Sequence, residues 1–181
     1  MRKLVYAINM TLDGCVDHTK FMPDEETFAY FTQLTRDADT FVYGRITYQL
    51  MVPYWPDTAK EDPSDEYAKA FDAVEKIVVF SQSLGSAEDE KTRIVRSGLK
   101  DEILKLKQEE GKNIFTGGVN LASQMAALGL IDEYHIVVLP IIAGEGRRLF
   151  EGINLEEKLQ LKLVESTVFK SGAVVLRYLK K

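Results

Sequence analysis

Apolar residues along this chain fall into two spacings. Lys3 to Met10 (KLVYAINM) is an apolar run of strand length, too continuous for a strand with one wet face, so it predicts a central strand covered on both sides. Lys76 to Phe80 (KIVVF) reads the same way. Thr40 to Tyr43, Thr92 to Val95 and the apolar pair Ile114-Phe115 predict shorter strands, and Ile131 to Ile142 a strand run interrupted at Pro140. Between these runs the spacing lengthens to that of helices. Phe28, Phe31 and Leu34, flanked by Tyr30, give one apolar face to a helix that opens at Pro23 and continues to about Arg36. Proline suits its first turn, and Asp24, Glu25 and Glu26 complement its dipole. Ile46 to Met51 predicts a short helix, Ser64 caps another through about Val74, and Leu99 to Gln108 forms one more. Cys15 to Met22 and the proline- and aspartate-rich Pro53 to Pro63 read as loops. Gln160 to Phe169 and Ala173 to Leu179 flank Ser171-Gly172 and predict a terminal antiparallel hairpin.

Helices alternating with strands through two-thirds of the chain imply parallel pairing, and the hairpin adds antiparallel pairing at one side. The expected architecture is a three-layer αβα domain spanning residues 1–181. Its sheet is mixed, mostly parallel, of about eight strands.

One stretch organises the rest. Lys112 to Leu128 (KNIFTGGVNLASQMAAL) is a short strand, a Gly117-Gly118 turn and a helix. Glycines there let a ligand lie against the main chain, and a helix start points unpaired N–H groups at it. A phosphate or pyrophosphate is the expected guest. Taken alone, two adjacent glycines also fit a plain tight turn.

Charge narrows the field. The chain carries a formal net charge of -5, which argues against a nucleic-acid partner, since a phosphate backbone needs a basic footprint. A single cysteine, Cys15, excludes an intramolecular disulfide, and His18 and His135 make a poor set of metal ligands. No signal-peptide pattern and no run of membrane-spanning length is present, so a cytoplasmic setting is expected.

In an open α/β sheet, ligands collect at the carboxyl ends of the strands. Three such ends carry suitable groups: Gly44, Arg45 and Thr47; Ser81, Gln82 and Ser83; and Thr116, Gly117, Gly118 and Val119. Arginine offers phosphate a fork of donors, and hydroxyls and helix starts add more. There is no G-x-G-x-x-G after the first strand and no Walker A lysine motif.

In order, TLDG, FVYGRITY, IVVFSQSL and IFTGGVNLASQMAALGLIDEYHIVVLPIIAGEGRRLF resemble the dihydrofolate reductase superfamily. The nearer similarity is to the riboflavin-biosynthesis reductase C-terminal domain and its stand-alone relatives. The resemblance covers about Lys3 to Tyr178, and its most specific part is GLIDEYHIVVLPIIAGEGRRLF. It implies an NADPH-dependent reductase of a small heterocyclic or imine-like molecule, with 5-amino-6-(5-phosphoribosylamino)uracil reduction the nearest named activity. Under that implication Gly44, Arg45 and Thr47 hold cofactor phosphates, and Ser81 and Gln82 lie near the adenosine 2′-phosphate. Gly117 and Gly118 share a cis peptide beneath the pyrophosphate, and Val119, Asn120 and Leu121 complete that wall. Ala7 to Asn9 pass beside the nicotinamide, and Asp13-Gly14 shape a closing loop. The candidate acids are Glu26, Asp24 and Asp13, with Thr27 or Glu26 at the position where dihydrofolate reductases carry theirs. Asp24 to Glu26 serve equally well as helix N-terminus stabilisers. A dihydrofolate or pterin reductase and a non-catalytic NADPH-binding module remain alternatives. Relatives further imply a homodimer to which Ile136 to Leu139 contributes. Arg147 and Arg148 would suit a substrate's ribose phosphate but read more readily as solvated, His135 reads as packed, and Tyr54-Trp55 either floors a substrate cleft, the preferred reading, or pins a loop.

Overall fold

The computed structural model describes residues 1–181. Eight strands form one sheet: β1 (Leu4–Thr11), β2 (Ala38–Gly44), β3 (Lys76–Phe80), β4 (Thr92–Val95), β5 (Asn113–Thr116), β6 (Glu133–Leu139), β7 (Leu161–Val168) and β8 (Val174–Lys180). Their spatial order is β4-β3-β2-β5-β1-β6-β8-β7. Every pair from β4 to β6 is parallel, and β6-β8 and β8-β7 are antiparallel. The mixed sheet and its terminal hairpin are thus as the hydrophobic pattern predicts.

Alternation along β1 sorts the core into two layers. Leu4 and Tyr6 face one side with Val42, Val78 and Ile114, where α5 (Leu99–Gln108) and α6 (Asn120–Ala127) supply Ile103, Leu106, Leu121 and Met125. Val5 and Ala7 face the other with Phe41, Tyr43, Ile77 and Val79. That side is covered by α1 (Glu25–Arg36), α2 (Arg45–Met51), α3 (Tyr54–Glu61) and α4 (Glu66–Asp72). Phe41 is fully buried at the centre of this layer, its ring within 5.5 Å of Tyr43, Phe71 and Phe115.

Two local expectations change. Pro53 to Pro63 is not a loop, because α3 occupies Tyr54–Glu61. Pro53 stands at its N-cap and Pro56 in its first turn, where no intrahelical N–H donor is needed. Trp55 packs edge-on against both Tyr54 and Tyr67, so this pair fastens α3 to α4 rather than flooring a cleft. Asp65, not Ser64, caps α4 by accepting from the Ala68 N–H at 2.9 Å. Ser64 instead donates its hydroxyl to Asp62. The two cap formers are adjacent, and only the chain's entry angle chooses between them.

β6 lies between β1 and β8, so Ile136 to Leu139 has no free edge to offer a second copy. The open edge beyond β8 is β7, whose register shifts between Leu163 and Glu165. A bulge at an edge strand discourages further pairing.

At the amino ends of the strands the sheet buries a polar network. Glu133, 4% exposed, accepts from His135 Nε2 at 2.9 Å, from Arg177 Nε at 2.5 Å and from Lys3 at 3.1 Å. The Tyr30 hydroxyl meets His135 Nδ1, which fits an imidazole protonated on Nε2. His135 is therefore buried and structural, through polar rather than apolar packing. Hydrogen bonding by His135 first, then Arg177 and Lys3, holds the Glu133 carboxyl well below the usual carboxylate range, against the opposing effect of burial. A carboxyl depressed on folding stabilises above its unfolded value of about 4.3 and loses that contribution as pH falls. Urea titrations from pH 7 to pH 3 should therefore show wild type losing stability more steeply than Glu133→Gln. Parallel slopes for the two proteins would remove Glu133 from the acid-sensitive groups.

Candidate cofactor cleft

Three helices begin where β2, β4 and β5 end, and none is capped by a side chain. Gly44 precedes α2, Gly98 precedes α5 and Val119 precedes α6, each without a side-chain cap hydrogen bond. On the same molecule α1 and α4 are capped by Asp24 and Asp65, and α3, which opens at Pro53 away from this region, is also without a side-chain cap. Uncapped helix starts leave backbone N–H groups in need of acceptors. These three converge on one cleft of about 630 Å³ at the carboxyl ends of the strands.

The turn after β5 is built by a close approach. Gly118 has φ +77°, and a Cβ there would run into the Thr47 hydroxyl of α2. A Cβ on Gly117 would sit 3.7 Å from the Ala7 carbonyl oxygen. The Tyr6 hydroxyl donates to the Gly118 carbonyl at 2.9 Å, and Thr116 Oγ1 donates to the Val42 carbonyl at 2.7 Å. All peptide bonds are trans, so the expected cis link between Gly117 and Gly118 is absent; the left-handed Gly118 makes the turn instead.

Ten of the twelve cofactor candidates line this cleft: Gly44, Arg45, Thr47, Ser81, Gln82 and the run Gly117 to Leu121. Ala7 and Asn9 do not, although Ala7 backs Gly117 from beneath. Asn9 points its buried Oδ1 at no partner.

Charge distinguishes the cleft from the rest of the surface. The chain has eight arginines, and Arg2, Arg36, Arg93, Arg148 and Arg177 are ion-paired. The other three, Arg45, Arg96 and Arg147, all line the cleft and bond only to neutral acceptors: Gln49 Oε1, the Ser81 carbonyl and Asn120 Oδ1. No Asp or Glu lines it. A larger cleft of about 1080 Å³ lies at the amino ends of the strands, but its charges neutralise one another: Arg2 with Asp39, Lys3 and Arg177 with Glu133, and Arg177 again with Glu165. Size alone would choose that cleft. The unpaired arginines and uncapped helix starts set the smaller one apart as the cleft whose chemistry suits an anion.

The three candidate acids are engaged elsewhere. Asp24 caps α1 by accepting from the Thr27 N–H at 2.7 Å. The Glu26 carboxylate accepts from the Lys170 N–H in the β7–β8 turn at 2.7 Å. Asp13 accepts from Thr11 Oγ1, from the N–H groups of Ala143 and Gly144, and from Arg148 Nη1 at 2.9 Å. These bonds, that from Thr11 foremost, hold its carboxyl well below the usual range. Asp13 thus braces the loop after β1 against the segment 141–149, and Arg148 is its ion-pair partner rather than a solvated charge. Two further bonds continue the seam, Val16 N–H to the Arg147 carbonyl at 2.9 Å and Leu149 N–H to the Gly14 carbonyl at 3.0 Å. Thr27, the other candidate for the acid's place on α1, is fully buried with its Oγ1 unpartnered.

Sequence reasoning missed Arg96 and set Arg147 aside. Arg96 follows β4 directly, so the rule that picked out the other strand ends would have found it. Arg147 had no such signal, because the seam that carries it to the cleft joins segments more than 100 residues apart.

Residues 2–175 match the family described as the RibD C-terminal domain. The uncharacterized protein YyaP of Bacillus subtilis (strain 168) is 30% identical over 181 residues, covering 98% of this chain and 94% of its own. Among solved structures, a diaminohydroxyphosphoribosylaminopyrimidine deaminase/5-amino-6-(5-phosphoribosylamino)uracil reductase of Thermotoga maritima superposes with a TM-score of 0.70 at 17% identity, over 99% of this chain and 57% of that one. Dihydrofolate reductase of Enterococcus faecalis, complexed with NADP(H), superposes with a TM-score of 0.65 at 14% identity, over 99% of this chain and 96% of that one. The fold is dihydrofolate reductase-like, and the chain belongs to the RibD C-terminal domain family.

Proposed function

We propose that this chain is an NADPH-dependent reductase of a small heterocyclic or imine-like substrate, with 5-amino-6-(5-phosphoribosylamino)uracil reduction the nearest named activity. The observation that carries the reading is the coincidence, in one carboxylate-free cleft, of three uncapped helix starts and every arginine that lacks an ion-pair partner. A dinucleotide phosphate fits this pattern, because its charge is spread along its length as the arginines are along the cleft. The Thermotoga and Enterococcus proteins support the reading by what their names state.

The strand order suggests how the residues divide. Ser81 and Gln82 follow β3 and Arg96 follows β4, so they would hold the adenosine-side 2′-phosphate. Gly44, Arg45 and Thr47 after β2, with Gly117 to Asn120 after β5, would hold the diphosphate through backbone N–H groups, a hydroxyl and a guanidinium. The end of β1 lies beside that of β5 and would border the nicotinamide. When bound, the cofactor supplies a hydride; the protein's part is to orient the two reactants, exclude water and provide a proton. A folate or pterin reductase is the weaker reading, since the inner face of α1 presents Thr27 where that chemistry would want a carboxylate.

Calorimetric titration should give tight binding of NADPH with a clear preference over NADH. Arg45→Ala should weaken NADPH more than tenfold, from the loss of a charge-assisted contact of about 1.5–3 kcal/mol; unchanged affinity would take Arg45 out of the site. Gly118→Ala should lose NADPH binding and about 1–3 kcal/mol of stability, because a left-handed backbone and the Thr47 hydroxyl both oppose the new methyl group. A Gly118→Ala protein with wild-type midpoint and affinity would contradict this account of the turn.

A further inference from the structure

Reducing a C=N bond takes a proton as well as a hydride, and the acids expected to give it are occupied. Asp13 braces a loop, Asp24 caps α1 and Glu26 holds the β7–β8 turn. The cleft itself is lined by no Asp, Glu, Cys, Tyr or Lys. Its three arginines keep their protons at any working pH. One lining side chain belongs to a type that changes charge between pH 5 and 8, and that is His18.

The backbone on both sides of His18 is tethered. Before it, Val16 N–H bonds to the carbonyl of Arg147, which itself lines the cleft. His18 opens a 3-10 turn, His18–Lys20, capped by Asp17, whose carboxylate accepts from Thr19 N–H at 3.0 Å and Thr19 Oγ1 at 2.7 Å. After it, Lys20 is ion-paired with Glu145. The turn is thus stapled twice to the segment 141–149, leaving His18 exposed at the mouth of the cleft. The charged groups on its own loop and the segment that staples it are Asp17 and the Lys20–Glu145 pair, and the cleft it lines also carries Arg45, Arg96 and Arg147. β2 and β5 separate the end of β1, which feeds this loop, from the strand ends that carry Ser81 and Arg96. Val16 and His18 are the residues of the loop after β1 that line the cleft, and they bring to it the segment fed by the strand end that would border the nicotinamide.

We propose that His18 is the proton donor of the reduction, charged as the phosphate-bearing cofactor enters and discharged to the substrate nitrogen. The proposal rests on the reductase reading above. Phosphates near an imidazole favour its protonated form, so binding itself loads the donor. The step balances. With both reactants bound, the nicotinamide would supply a hydride with its electron pair to the substrate carbon, and the C=N π pair would move to nitrogen. The His18 ring N–H bond breaks, and its proton goes to that nitrogen. The products are the amine and oxidised nicotinamide, and the neutral imidazole regains a proton from solvent.

The test is NADPH calorimetry at pH 7 in two buffers of different ionisation enthalpy, which counts protons taken up per cofactor bound. Wild type should take up a measurable fraction of a proton. His18→Gln should take up none while binding NADPH within about threefold as tightly. With 5-amino-6-(5-phosphoribosylamino)uracil as the probe substrate, His18→Gln should lower kcat about 100-fold or more with KM for NADPH kept, and lose the limb of the pH profile that belongs to the donor. Proton NMR of wild type gives a check that needs no variant. The chain has only two histidines, His18 and His135, and NADPH should move the titration midpoint of one upward and leave the buried one unmoved. NADPH bound without proton uptake, equal uptake in both proteins, or unchanged kcat–pH profiles would each overturn the role of His18 alone. No binding of NADPH by wild type would overturn the reductase reading with it.

Discussion

The site depends on one close approach: the turn after β5 passes so near the start of α2 that residue 118 cannot carry a side chain. Thr47 occupies the space, and the left-handed φ of Gly118 directs the chain into α6. Tyr6 from below and Thr116 from the side hold the turn to β1 and β2 by hydrogen bonds. Two helix starts are thereby drawn together, and their backbone N–H groups face a shared volume instead of side-chain caps. Leaving such donors without protein partners costs stability unless water or a ligand accepts from them. The arrangement makes sense as a surface prepared for an anion.

Charge is divided along the strand direction in the same sense. At the amino ends of the strands, Arg2, Lys3, Arg177, Asp39, Glu133 and Glu165 form pairs among themselves. At the carboxyl ends, Arg45, Arg96 and Arg147 meet only amide and carbonyl oxygens. A chain with net charge -5 thus presents a locally cationic cleft. All three arginines are exposed to solvent, so their guanidinium groups are free to turn toward a phosphate without first breaking an ion pair. The acids that might have filled this role are spent on structure, with Asp13 joining the loop after β1 to Arg148, 135 residues away in sequence.

How much could be read beforehand differs by residue. The β1 and β3 runs and the terminal hairpin were legible because continuous apolar stretches and a Ser-Gly turn have few other solutions. Gly44, Arg45, Gly117 and Gly118 were legible as a site because strand ends are where an α/β sheet binds. The helix over Tyr54–Glu61 was not, since prolines read as breakers unless their place in the first turn is known. The roles of Asp24 and Glu26 were open as well. Both stand at the start of α1, and only the position of Thr27 N–H and of the distant Lys170 N–H separates a cap from a brace.

By itself, then, the sequence determined the layer architecture, the strand runs, the family and most of the groups that line the cleft, because these follow from local periodicity and from motifs a few residues long. Only the tertiary structure decided which arginines remain without a carboxylate, which acids are consumed in bracing, and that His18 is brought to the mouth of the cleft. Those outcomes depend on pairings between segments up to 144 residues apart, and a pairing across such a distance leaves no mark on the spacing of residues along the chain.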